Sequence, residues 1–154
     1  MLQALLQRGA DAEFQNKKKY TPLLVATSAG QLGCIEELLR CGANPMARGT
    51  NNATALLLAA SQPNAHSLRI LDAIFGQPPC LGAREQLLKA PFTDGRTPLH
   101  VACASGNAEV AVWLLLHNAD PHALTNDGVT PMEKVSQTKH CSLTHIVLQL
   151  PSQT

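Results

Sequence analysis

Asp94-Gly95-Arg96-Thr97-Pro98-Leu99-His100 is the stretch on which the fold turns. Thr97 can cap the start of a helix with its hydroxyl. Pro98, at the first helical position, gives up no hydrogen bond that a helix needs there. Working outward, the same opening recurs as Thr21-Pro22-Leu23-Leu24, Thr54-Ala55-Leu56-Leu57 and Thr130-Pro131-Met132-Glu133. The four threonines stand at 21, 54, 97 and 130, so the intervals are 33, 43 and 33 residues. A second signature trails the first at a fixed distance. Leu38-Leu39-Arg40-Cys41-Gly42-Ala43-Asn44 matches Leu114-Leu115-Leu116-His117-Asn118-Ala119-Asp120, and Leu5-Leu6-Gln7-Arg8-Gly9-Ala10-Asp11 matches both. Self-similarity at such a period marks a stack of repeated units.

Each unit reads as two short helices. Leu23 and Ala26, Leu56 and Ala59, and Leu99 and Ala102 recur at helical spacing and face inward. Gly30 and Gly106 end the first helices, because glycine tolerates positive φ. The second helices carry Leu32, Ile35, Leu38 and Leu39 in one copy, and Ala108, Val110, Ala111, Trp113 and Leu114 in another. Gly42 and Asn118 end those helices in a left-handed turn. The polar stretches 48–52 and 125–128 then turn tightly into the next threonine.

Composition agrees with this arrangement. The 154 residues are one domain's worth of chain, 45% hydrophobic and only 15% charged, which excludes a disordered tail. Aromatics are 3%, so Ala and Leu carry the apolar content, as suits closely packed helices. A net charge of +1 offers no general attraction to phosphate backbones or anionic lipid. The longest apolar stretch, near 110–116, falls far short of the roughly 20 residues a bilayer needs. Met1–Leu6 is apolar but runs into Arg8 and Asp11 without a cleavage-site pattern. Cys34, Cys41, Cys80, Cys103 and Cys141 are odd in number and widely spaced. That fits free, mostly buried thiols in a reducing compartment, the cytoplasm or nucleus, better than a disulfide framework.

The chain resembles the ankyrin family, whose unit is helix, turn, helix and a protruding hairpin at a period of 33. Four phased copies carry the resemblance over nearly the whole chain. It implies an all-α ankyrin-repeat solenoid in a single domain, residues 1–154. The units would be a partial repeat at 1–20, repeats at 21–53, 54–96 with an insertion, and 97–129, and a terminal repeat at 130–154. Some positions depart from the family. Leu24, Leu57 and Glu133 stand where His100 has the family's bridging histidine, so those junctions should rely on apolar contacts. Lys19 and Asn52 stand where the hairpin usually has glycine, and asparagine suits that conformation better than lysine.

The third repeat is 10 residues too long. Its second helix should run from about His66 to Phe75 with Leu68, Ile70, Leu71 and Ile74 apolar, after about three extra residues near Pro63-Asn64. The rest of the insertion lies between Gly76 and Pro91. Pro78-Pro79 forbids helix, and Ala83–Ala90 could form a short one that Pro91 stops. Such insertions map to loops, some on a working face and others without a role. The chain opens inside a second helix, with Leu2, Leu5 and Leu6 lacking a first-helix partner, as in a piece of a longer array.

His100 and Cys103 share a helix face, as a nucleophile pair could, but both occupy positions the repeat fills structurally. His140, Cys141 and His145 have partial metal-ligand spacing without the four ligands of a closed zinc site. Lys17-Lys18-Lys19 is basic, but no broad basic surface with stacking aromatics accompanies it, and a solvated tip is the usual role of such a run. No glycine-rich loop follows a strand pattern. The reading is therefore of a chain with no enzymatic activity, cofactor or metal, that binds a protein rather than nucleic acid and does not insert into a membrane.

The resemblance implies that a protein partner, of unknown identity, binds the concave face, with the chain a monomer or part of a longer one. By position, the hairpin contacts would be Lys17, Lys18, Tyr20, Arg48, Thr50, Asn51, Thr93, Asp94, Arg96, Asn126 and Asp127. The first helices would add Ser28, Ala29, Ser61, Gln62 and Ser105. Two alternatives are a structural spacer in a longer array and a ubiquitin-ligase adaptor. For the second, Ser142-Leu143 and Val147 faintly resemble a suppressor-of-cytokine-signalling box, with Val147 where that box has cysteine.

Overall fold

Threonine capping takes effect where the sequence places it. The computed structural model describes residues 8–62, 66–76 and 84–137. Thr21 Oγ1 accepts from the Leu24 N–H at 3.4 Å, and Thr54 Oγ1 from the Leu57 N–H at 3.3 Å. In chain order the helices are α1 (Pro22–Ser28), α2 (Leu32–Arg40), α3 (Ala55–Ala60), α4 (Ser67–Phe75), α5 (Arg84–Lys89), α6 (Pro98–Ser105), α7 (Ala108–Leu116) and α8 (Pro131–Gln137). Among the described residues there is no strand.

The predicted stops share one geometry. Gly30, Gly42, Gly106 and Asn118 have φ of 66°, 86°, 72° and 65°. After each, the next N–H reaches back to a carbonyl five residues earlier: Gln31 to Ala26, Ala43 to Leu38, Asn107 to Ala102 and Ala119 to Leu114. This left-handed closure satisfies carbonyls that the helix end would otherwise leave bare. α3 lacks it and ends on Ser61 in right-handed geometry.

The helices stack in two layers. α1, α3, α6 and α8 pack side by side in chain order, and α2, α4 and α7 pack behind them. Leu23, Leu24, Ile35, Leu38, Leu56, Leu57, Ile70, Leu71, Ile74 and Leu114 are fully buried between the layers. Burying each such side chain stabilises by about 1.5–3 kcal/mol. Leu24 and Leu57 make apolar contacts where His100 makes polar ones, as expected. Glu133 differs: its carboxylate caps its own helix, accepting from the Thr130 N–H at 2.7 Å and hydroxyl at 2.9 Å.

The insertion does not interrupt the first layer, since α3 and α6 remain neighbours. The short helix that the insertion could form before Pro91 is α5, which buries Leu87 and Leu88, and Ala90 just beyond its end is buried as well. Residues 63–65 and Pro78-Pro79 lie outside the described residues, as do Leu2, Leu5 and Leu6. One expectation needs correcting. Of the three described cysteines only Cys103 is buried, whereas Cys34 and Cys41 are exposed. Cys41 follows the last residue of α2, and Cys34 lies on a flank of α2 that Ile35, Leu38 and Leu39 leave outside the core.

Candidate protein-binding face

Four hairpins project from the stack and close alike. The N–H groups of Asn16, Gly49, Phe92 and Thr125 donate to the carbonyls of Tyr20, Ala53, Arg96 and Val129 at 2.8–3.1 Å. The residue before each accepting residue is left-handed: Lys19, Asn52, Gly95 and Gly128, with φ of 55°, 62°, 83° and 72°. The anticipated backbone therefore holds even where lysine must adopt it. Asn16 supports Lys19 by accepting through Oδ1 from the Lys18 and Tyr20 N–H groups at 2.9 and 3.1 Å.

The tips are tied into a row. The N–H groups of Thr50, Thr93 and Asn126 donate to the carbonyls of Lys18, Asn51 and Asp94 at 3.2, 3.1 and 3.1 Å. Side chains reinforce the row, with Asn126 Nδ2 donating to the Thr93 carbonyl at 3.0 Å and Asn52 Nδ2 to the Pro91 carbonyl at 2.6 Å. A second row joins the ends of the first helices. Gln62 Nε2 donates to the Ser28 carbonyl at 3.1 Å, Ser105 Oγ to the Ala60 carbonyl at 3.1 Å, and Asn107 Nδ2 to the Gln62 carbonyl at 3.1 Å.

The first row sets the predicted tip residues side by side, and the second does the same for residues at the ends of the first helices. Lys17, Lys18, Ala29, Arg48, Thr50, Asn51, Thr93, Asp94, Asn126 and Asp127 are exposed. Tyr20, Ser28, Ser61, Gln62, Arg96 and Ser105 are half-buried. The second group is less free than the repeat pattern implies. Tyr20 lies over Gly49, Ser28 and Ser61 donate to carbonyls of their own helices, and Gln62 and Ser105 tie neighbouring repeats. Asn107 and Asn52 share this tying role and were not anticipated. Both repeat partners must be placed before such a bond can be read.

Electrostatics on this surface are local. Burial raises the Asp94 carboxyl, but bonds from the Arg96 backbone and guanidinium outweigh it and hold the group below its usual value. Arg96 Nε donates to Asp94 Oδ2 at 2.7 Å, and its guanidinium lies 5.4 Å over the Phe92 ring.

The His100–Cys103 pair has no catalytic geometry. His100 Nε2 lies 2.9 Å from the Val129 carbonyl and must donate to it, which leaves Nδ1 to accept from the Thr97 N–H at 3.2 Å. The imidazole thus bridges two repeats. Burial pushes the Cys103 thiol up to about 11, away from the reactive thiolate. No group of three or more potential metal ligands occurs among the described residues. His140, Cys141 and His145 lie outside them. No described helix is long and apolar enough to cross a membrane.

On the opposite layer, Trp113 Nε1 donates to Asp72 Oδ1 at 2.9 Å, joining α7 to α4. The Trp113 ring stacks on His117 with centroids 3.9 Å apart, and Phe75 meets Trp113 edge-on at 5.0 Å. Arg84 at the start of α5 lies 5.1 Å over the Phe75 ring. The insertion helix is therefore anchored behind the candidate face.

Known proteins share this organisation. The family model described as "Ankyrin repeats (3 copies)" matches residues 1–76, and that described as "Ankyrin repeat" matches residues 94–126. The mouse (Mus musculus) protein named Ankyrin repeat and SOCS box protein 16 is 36% identical, the match covering 76% of this chain and 25% of that protein. Ankyrin repeat and SOCS box protein 11 of Danio rerio is 31% identical over 75% of this chain and 36% of its own length. A protein of Dirofilaria immitis named L-asparaginase is 27% identical over 97% of this chain and 29% of its own. The chain therefore spans between 25% and 36% of the length of these relatives.

Proposed function

The chain belongs to the ankyrin-repeat family, and from that premise we propose that it is a module that captures a protein partner on the surface formed by its hairpin tips and first helices. Repeat stacks use such extended concave surfaces for binding. The observation that carries the reading is the ladder of tips, in which Lys18, Asn51 and Asp94 each accept a backbone hydrogen bond from the following hairpin. A row of exposed side chains held on tied backbone loses little entropy on binding. The proposed contacts are the hairpin and first-helix residues that the ankyrin resemblance implies. On this reading the module itself catalyses nothing, and a L-asparaginase activity belongs to the relative so named.

The test is selective capture from cell extract followed by purified binding. Lys17→Ala, Lys18→Ala and Arg96→Ala together should weaken the partner while leaving the melting temperature unchanged. If affinity is untouched and changes across Arg84–Lys89 abolish it, the insertion is the site instead. A spacer in a longer array would yield no selective partner. The names of two relatives favour one further reading, in which this surface presents its partner to a ubiquitin ligase. Co-capture of ligase subunits with the whole protein would distinguish it. Ser142, Leu143 and Val147, where the sequence faintly resembles the adaptor box, lie outside the described residues.

A further inference from the structure

The charges on the row of tips are graded along it. The first tip presents Lys17, Lys18 and Lys19, all exposed. Among the described residues none of the three is in an ion pair, unlike Arg40 with Glu37, Lys89 with Glu85 and Arg96 with Asp94. The second tip presents Arg48, aimed by a 2.7 Å bond from Nη1 to Asn52 Oδ1. On the third, Asp94 and Arg96 neutralise each other. The fourth ends in exposed Asp127. Along the second row, Ser28, Ala29, Ser61, Gln62 and Ser105 carry no charge. Two exposed carboxylates stand near the first tip and each accepts a backbone bond, Asp11 from the Glu13 N–H and Glu13 from the Asn44 N–H at 2.8 and 2.7 Å, so the three lysines of the tip still outnumber them.

We propose that this face takes an extended protein segment that is acidic where it crosses the first two tips and neutral or basic where it reaches the fourth. The inference deepens the reading above and rests on it. Packed helices stand about 8–10 Å apart, so four tips span about 25–30 Å. An extended chain covers that in about eight or nine residues at 3.3–3.6 Å each. Charges screen over about 8 Å at physiological ionic strength, so each tip is felt by the residues above it and the grade sets the register of the bound segment. A nucleic acid fits less well. It is negative along its whole length and would meet the exposed Asp127 at the fourth tip.

Selection of random twelve-residue peptides on the whole protein tests this. Selected sequences should carry a block of Asp and Glu. Lys17→Glu with Lys18→Glu should weaken them at least tenfold (about 1.4 kcal/mol), and Asp127→Lys should tighten them. Selecting on the charge-reversed protein should turn the block to Lys and Arg. Selected peptides without acidic bias that are still blocked by Ala29→Tyr with Thr93→Tyr would overturn the graded-charge inference and leave the binding face standing. Peptides indifferent to both sets would overturn the face itself, and the inference with it. Equal affinity for a labelled single-stranded oligonucleotide would overturn the protein segment in favour of nucleic acid.

Discussion

The ring of Tyr20 occupies the space that a side chain on Gly49 would take, since a Cβ there would overlap Cδ1 and Cε1. Tyr20 closes the first hairpin and Gly49 opens the second, so the contact joins successive tips. Gly49 has φ −93°, and its need for glycine is purely one of space. Gly95 combines two constraints: φ is 83°, and a Cβ would lie 2.7 Å from the Asn126 backbone N. Gly49→Ala should therefore cost about 1 kcal/mol, because a ring can shift. Gly95→Ala should cost about 2–3 kcal/mol, because the backbone of the next tip must move and the left-handed strain adds. Urea unfolding of the two variants checks the order. A Gly49→Ala cost equal to or above that of Gly95→Ala would contradict this account of the row.

Much of this was legible in the chain. Thr21, Thr54 and Thr97, the left-handed Gly30, Gly42, Gly106 and Asn118, and the awkward Lys19 all follow from local chemistry repeated at a fixed period. The helix α5 lies in the unrepeated insertion, where local chemistry, with Pro91 as its stop, allowed a helix without requiring one. The ties were not legible. Gln62 to Ser28 spans 34 residues and Trp113 to Asp72 spans 41, and each depends on the register between units rather than on either unit. The exposure of Cys34 and Cys41 runs against cysteine's usual burial and follows from their places, Cys34 on the outer flank of α2 and Cys41 just past its end.

Lys19 marks a point of stored strain. Its φ of 55° is held by its own N–H, which donates to the Asn16 carbonyl at 2.8 Å, and by the Asn16 side chain. Left-handed geometry costs a residue with a Cβ about 1–2 kcal/mol, whereas glycine offsets part of that gain through unfolded-state entropy. Lys19→Gly should raise stability by about 0.5–1 kcal/mol, read from chemical denaturation. A loss would show that the lysine side chain contributes more than its backbone costs.

Thiol chemistry should separate the described cysteines. Cys34 and Cys41 are exposed, whereas Cys103 is buried with its thiol pushed up to about 11. Alkylation requires the thiolate and access to it. Iodoacetamide at neutral pH should modify Cys34 and Cys41 at least about tenfold faster than Cys103, resolved by peptide mass mapping. Mild urea should close the gap by opening the core. Equal rates in the native protein would place Cys103 outside the core.

His100 gives the stack a pH dependence whose sign can be worked out. Its pKa lies below the ordinary 6.5, first because burial disfavours the charged ring and then because Lys134 and Arg96 repel it. The bond to the Val129 carbonyl and the Asp94 charge oppose the shift without reversing it. Between the folded pKa and 6.5, the unfolded chain binds the proton more readily than the folded one. Stability contributed by the neutral ring is therefore complete above 6.5 and is lost as pH falls through that window. Protonation would also turn Nδ1 from acceptor into donor, facing the Thr97 N–H that it now serves. The unfolding free energy should fall between about pH 7.5 and pH 5. His100→Leu, which copies Leu24 and Leu57 at the equivalent positions, should be less stable at the higher pH through loss of the bridge. It should also show a shallower decline on acidification. The difference in slope between the two proteins isolates the contribution of His100 from the rest of the chain. A Leu variant with an unchanged slope would mean that the ring at position 100 does not titrate between the folded and unfolded states.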